Sequence, residues 1–457
     1  MRSVLQGARI LVVGLVLATG VGASEERQSD PVRASMGRAP DGLVSLPLDE
    51  AVQQALREGF PTRIAGLETD QARELALEVL GAYLPQLGVS AQAGWSNRIN
   101  EKMIAGDGKV YGLDNLGNEP WVDVFVQQAL LDLPLWQRIK RENLGTELAE
   151  LAELEVREAV AYEVLRVYSS VARLESLREA GAAHHDRLVA LSERAENLWD
   201  AGRILETERA TIAVARDDAA LAIESLDLEL ARLRGELRLA LGDEDGTTPL
   251  LRTVPSSLPL AESTRFPEGL DQVVLKTPGV RILELRREIE GASVSVVAAE
   301  RWPTLVLRGG YSNYGIKRFD EFEDEGYIFM GMEVPLFDGL QNKHAVGGAQ
   351  KALDIARLRY RSGVSAMRSR LLGLNRKLEL LGRRLALAER RVESTAARSQ
   401  VADVNLEARR GGLGDALTAR ERLLADTTAA VDLRFAQLEV WARLHRELGR
   451  LVSDLGG

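Results

Sequence analysis

The sequence predicts a mainly α-helical chain with a membrane β-barrel portion, built as a helix-strand-strand-long helix-helix unit written twice. Three observations predict it. Two long proline-free stretches carry heptad seams, two aromatic-rich windows alternate as strands do, and the proline marks recur at a near-constant offset.

All fourteen prolines lie in 31–134 and 249–335, so 135–248 and 336–457 are free to form long helices. Leu188, Leu191, Ala195 and Leu198 step by three and four, as do Leu226, Leu230, Leu233 and Leu237. Leu371, Leu374, Leu378, Leu381 and Leu385 repeat the pattern, and so do Leu444, Leu448, Leu451 and Leu455. Such seams mean helices packed side by side.

Fourteen of the 22 aromatics fall within 83–136 and 302–337. There Leu87, Val89 and Ala91 alternate with Gly88, Ser90 and Gln92. Leu305, Leu307 and Tyr311 alternate with Val306, Arg308 and Ser312, and Ile328, Met330 and Met332 with Phe329, Gly331 and Glu333. Strands of about ten residues with one polar face suit a tilted membrane β-strand. Residues 121–133 are also strand-like, with no phase fixed by the sequence.

The marks repeat. Pro61 and Pro278 differ by 217, Pro85 and Pro303 by 218, and Pro134 and Pro335 by 201. The first repeat, 46–242, has helices 48–84, 136–200 and 203–242 and strands 87–99 and 121–133. The second, 266–451, has helices 268–302, 338–410 and 413–451 and strands 304–315 and 326–337. A linker over 243–265 joins them. The helix 136–200 is roughly 100 Å long, about the sum of the two shorter helices end to end. Pro335 to Gly412 is nine residues longer than Pro134 to Gly202. That difference predicts either tips at different heights or a bulge in the longer helix.

The chain opens with basic Arg2 and Arg9, an apolar run from Ile10 to Val21, and small residues at Val21-Gly22-Ala23. This predicts a signal peptide over 1–23, cleaved after Ala23, followed by a flexible lead over 24–45. No later stretch is apolar enough to span as a helix, so membrane entry would use strands. A net charge of -10 disfavours nucleic acid as a partner. The absence of cysteine excludes disulfides, thiolate metal sites and a lipid-modified N-terminal cysteine. Four histidines, none spaced i, i+4, offer little to a metal. No catalytic constellation is present, and no cofactor is expected. Four strands cannot close a barrel, and an open lumen calls for three chains.

The duplicated order, with Leu46-Pro47-Leu48-Asp49-Glu50-Ala51-Val52, Leu84-Pro85, Val334-Pro335-Leu336-Phe337-Asp338-Gly339, Gly202 and Gly412, resembles the TolC-type outer-membrane efflux channels, or outer membrane factors. The resemblance runs from residue 46 to about 451. It implies a homotrimer in the Gram-negative outer membrane, with a 12-stranded β-barrel in contact with lipid continuing into a 12-helix α-barrel across the periplasm. It implies passive export, by tripartite efflux or type I secretion, from an inner-membrane pump through a periplasmic adaptor. It also implies that Gly202 and Gly412 are periplasmic tips, with Glu208 helping to line the entrance; in the second repeat Asp415 and Glu421 flank the corresponding position and are expected there too. Arg203 and Arg410 are placed to bridge these carboxylates. Thr418 stands where an acidic residue would complete the pattern. The alternative reading is an exported periplasmic coiled-coil structural or adaptor protein. It explains the heptads and leaves the paired aromatic-rich strands without a role.

Overall fold

The computed structural model describes residues 44–92, 102–104, 110–112, 121–243, 251–254, 269–316, 321–408 and 410–456. The expected signal peptide, most of the lead, and strand residues 93–99 lie outside the described residues.

The first repeat opens with β1 (Val44–Leu46), α1 (Leu48–Glu58) and α2 (Phe60–Gly81). One helix over 48–84 was expected; the chain breaks it at Gly59. A Cβ there would run into the Ala55 carbonyl, and Pro61 begins a new helix in its first turn, where no N–H is needed. The second repeat breaks at the same place. There α5 (Leu270–Lys276) ends at Thr277 and α6 (Pro278–Ala299) starts on Pro278.

Strands β2 (Gln86–Gln92) and β5 (Trp121–Leu131) come from the first repeat, with a short antiparallel pair between them, β3 (Lys102–Ile104) and β4 (Val110–Gly112). β7 (Thr304–Ile316) and β8 (Glu321–Glu333) come from the second. Together they make one antiparallel sheet, β2-β5-β7-β8, with a bulge between Ala129 and Leu131. Among the described residues β2 and β8 have no further strand beside them, so the sheet is open at both edges. The segment 321–325, expected within a loop, is strand: Glu323 pairs with Tyr314 and Glu325 with Ser312. The acidic run extends the hairpin beyond its apolar zone.

Two long helices follow the strands. α3 (Leu133–Asp200) has 68 residues and α7 (Gln341–Glu407) has 67. Asp132 caps α3 by accepting the Leu135 N–H at 2.8 Å, with Pro134 in the first turn, so the helix starts almost at the strand end. In the second repeat the chain runs irregularly through 334–340. Gly339 and Leu340 have positive φ before Asp338 caps Asn342 N–H at 2.8 Å. The nine-residue surplus therefore sits in this junction and in the wider turn before Gly412. The helices themselves are equal in length and unbroken.

The returning helices are α4 (Glu206–Ala240) and α8 (Leu413–Leu448), with a last turn α9 (Leu451–Asp454). Where they end, the core is widest. It gathers Leu46, Leu48, Tyr168, Leu237, Leu371 and Leu444 among others. The linker carries β6 (Leu251–Thr253), which pairs in parallel with β1. Fully buried Tyr168 on α3 locks that pair. Its hydroxyl donates to Leu46 O and accepts from Val254 N, each at 2.7 Å. Glu158, also on α3, caps α9 through Leu451 N–H at 2.9 Å. Tyr168→Phe strands the buried Leu46 carbonyl and the half-buried Val254 N–H at once. It is expected to lower stability by about 1–3 kcal/mol, read as the shift of the denaturation midpoint.

Candidate functional site: a two-sided sheet and the helical tips

The sheet has two unlike faces. Val122, Val124 and Val126 point to one side and are exposed. Register brings Leu87 and Val89 beside them from β2, Tyr311 from β7, and Ile328, Met330 and Met332 from β8, all exposed. This is a continuous apolar surface that no described residue covers. It also fixes the phase of 121–131 that sequence alone left open.

The opposite face is polar. Asp123, buried to 3% exposure, accepts from Arg308 Nη2 and Ser312 Oγ, each at 2.7 Å, and from the Tyr327 hydroxyl at 3.0 Å. Arg308 also donates to the Tyr327 hydroxyl at 3.2 Å and lies 3.8 Å over the Phe125 ring. Tyr327 stacks on Phe329 at 5.7 Å. Two glycines make this face possible. A Cβ at Gly88 would strike the Phe125 ring, and one at Gly310 would strike Tyr327. The Asp123 charge is met by three donors, as a buried charge requires. A sheet with one bare apolar face and one ion-paired face suits lipid outside and water inside.

At the far end, α3 closes on Gly202, whose φ of +68° favours glycine. Its N–H donates to Trp199 O at 2.7 Å, and Arg203 N–H to Leu198 O at 2.8 Å. Gly412 lies at the corresponding turn. The two turns lie together, since Leu188, Leu191 and Ile212 of the first hairpin share a cluster with Leu406, Leu413 and Leu417 of the second. Glu208 and Asp415, expected at the entrance, both cap helices. Glu208 accepts from Leu205 N–H at 3.4 Å and Asp415 from Gly412 N–H at 3.1 Å. Glu421 is exposed. Arg203 and Arg410 are exposed and make no ion pair among the described residues.

The ion pairs at this end use residues the sequence did not single out. Arg209 pairs with Glu196 at 2.9 Å and with Glu206, and lies over the Trp199 ring at 4.6 Å. Arg420, at 9% exposure, reaches from α8 to Asp403 of α7 at 2.8 Å and donates to the Arg187 carbonyl of α3. Arg194 of α3 donates to Leu406 O of α7 at 2.9 Å. The two hairpins are thus tied by buried Arg420 and half-buried Arg194. His184, beside Arg420, is buried with its Nδ1 unpartnered. Burial, then Arg187 and Arg420, hold its imidazole below the ordinary range, hence neutral.

Among the described residues, a four-stranded sheet open at both edges is continuous with two helices of about 100 Å whose far turns lie together. Residues 270–450 match the family model described as outer membrane efflux protein. Solved outer-membrane proteins share the fold. CusC matches with a TM-score of 0.75 at 18% identity, over 94% of this chain and 99% of that one. VceC of Vibrio cholerae matches at 0.72 and 15%, over 88% and 96%. The open-state MtrE channel of Neisseria gonorrhoeae matches at 0.70 and 16%, over 88% and 89%. No curated protein matches the sequence.

Proposed function

We propose that the protein is the outer-membrane channel of a tripartite efflux or type I secretion system. Three copies close a 12-stranded β-barrel and a 12-helix α-barrel. Substrate handed on by an inner-membrane pump, through a periplasmic adaptor, leaves passively along the lumen. No chemical step or cofactor takes part. The observation that carries this reading is the bare apolar face of an open-edged sheet, backed by an ion-paired face and continuous with two unbroken helices. An exported coiled-coil or adaptor protein has no use for such a face. Fractionation tests the reading: a heat-modifiable trimer is expected in the outer membrane, and a soluble periplasmic monomer would overturn it.

Two finer expectations follow from the geometry. At the tips, Glu208, Asp415 and Glu421 from three copies, beside Gly202, Arg203, Arg410 and Gly412, give the entrance a ring of carboxylates. Such rings favour cations. Planar-bilayer recordings of Glu208→Ala with Glu421→Ala are expected to show reduced cation selectivity; selectivity equal to the parent would move the constriction elsewhere. At the other end, the acidic start of β8 belongs outside hydrocarbon. Glu323→Cys is expected to react with an impermeant reagent on intact cells. Reaction only after the outer membrane is broken would place that rim in the periplasm.

A further inference from the structure

One seam of α3 steps by three and four through Leu174, Leu177, Gly181, His184, Leu188, Leu191 and Ala195. Leu174 and Leu177 belong to an apolar cluster with Leu226, Leu230 and Leu233 of α4. Leu188, Leu191 and Ala195 belong to the cluster that joins the two hairpins. His184 sits between these clusters, where the heptad calls for an apolar side chain, and is 7% exposed. On α8 the matching interruption is Arg420, which follows buried Leu413, Ala416 and Leu417 at the same kind of spacing.

Each of the two side chains carries a buried polar atom with no partner among the described residues: Nδ1 of His184 and Nε of Arg420. The rest of the Arg420 guanidinium is engaged. It donates to the Arg187 carbonyl, one turn along α3 from His184, and to Asp403 of α7 at 2.8 Å. A buried polar atom left unpaired destabilises a fold, and leucine at position 184 would avoid this. The imidazole is thus a standing burden on the seam, which its neutral form keeps small.

The charged or titratable groups that act on the imidazole are Arg187, Arg420 and His185, none of them acidic. From α4 the seam presents Ala215, Ala219 and Ile223, while Asp217, Asp218 and Glu224 are exposed. Arg216 of α4 is half-buried and pairs with Asp217 at 2.8 Å. On α8, Glu421 is exposed and Asp426 is half-buried, six residues beyond Arg420. Asp403 of α7 already serves Arg420.

We infer that His184 is an acid-sensitive switch in the tie between the two hairpins. Neutral, it is tolerated in the seam and leaves Arg420 to grip Asp403 and the Arg187 carbonyl. Protonated, its Nδ1 becomes a donor with no acceptor. A second buried cation then stands beside Arg420, with one carboxylate, Asp403, for both. The seam relieves this by admitting water at the level of His184 and releasing Arg420. Burial and the neighbouring arginines lower the folded-state value of the imidazole. The stability of the neutral ring is therefore full above the ordinary histidine range and is lost as pH falls through the lowered value. Acid loosens the hairpins. That this loosening opens an entrance rests on the channel reading; the switch itself does not.

Hydrogen exchange of the purified protein, corrected for the intrinsic effect of pH, reads the tie directly. Between about pH 7.5 and about pH 5, amides of 184–195 and 413–420 are expected to exchange faster, by up to about tenfold per pH unit as the imidazole titrates. Amides of 161–168, in the wide core, keep their rates. His184→Leu is expected to match the parent at neutral pH and to lose the acid response. His184→Gln, also uncharged, does the same should leucine disturb assembly. In planar bilayers the parent's open probability rises in acid and that of His184→Leu does not. An acid response that survives both substitutions overturns the switch and assigns the effect to the entrance carboxylates. A parent without any acid response overturns it as well. A chain that forms no channel at any pH overturns the channel reading, and exchange still decides the switch.

Discussion

Val124→Arg is expected to remove the protein from the outer membrane while leaving its helices folded. Val124 sits in the middle of β5, between Val89 and Tyr311, on the apolar side of the sheet. An arginine at bilayer mid-depth costs a membrane β-barrel about 2–4 kcal/mol, and a closed ring meets that cost once per copy. The helical wall has its own core, so circular dichroism of the variant should keep the parental helix signal. Gln127→Glu is the control. It puts a charge on the other face, beside its register partner Arg308, and is expected to assemble normally. If Val124→Arg inserts as well as the parent, lipid does not meet this face.

Arg420→Leu is expected to loosen the tips. The guanidinium joins α8 to α7 through Asp403 and to α3 through the Arg187 carbonyl, from a position almost shut off from water. Losing the bond to the Arg187 carbonyl and the pair with Asp403, which is about a third exposed, costs about 1–3 kcal/mol. Leucine keeps the volume, so the loss falls on the tie between hairpins. Purified trimers should show higher open probability in planar bilayers, and cells should become more sensitive to large antibiotics. Arg203→Ala, which alters an exposed side chain with no ion pair within its copy, should change both much less. Equal effects from the two substitutions would mean that the buried tie does not hold the entrance.

The architecture was legible because it is written in long, coarse signals. Proline confines itself to the ends of helices, aromatic residues crowd the strands, and both patterns come twice. Finer features lacked such signals. The breaks at Gly59 and Thr277 were hidden because Pro61 and Pro278 served as repeat marks, while their effect on the helix in front of them is local. The phase of 121–131 was ambiguous because Phe125 places an aromatic ring on the polar face, where only the neighbouring Gly88 makes room for it. The three-residue pair of β1 with β6 is too short to show periodicity and depends on Tyr168, more than a hundred residues from Leu46. At the tips, the acidic residues were found by position and the ties were missed. One of Arg420's partners is a backbone carbonyl, which no side-chain pattern reveals.

The bare edges of β2 and β8 have a consequence for the protein's life before assembly. Among the described residues each presents a row of amide and carbonyl groups with no strand beside it, next to an apolar surface, and a chain acting as proposed carries both across the periplasm before it assembles. Any extended peptide it meets can dock there as a false neighbour. On the proposed reading the solitary chain is thus most at risk in transit, and its survival depends on how soon two further copies reach it. Yield should therefore fall when synthesis outruns delivery, with the surplus appearing as strand-rich aggregates in which the helices are still intact.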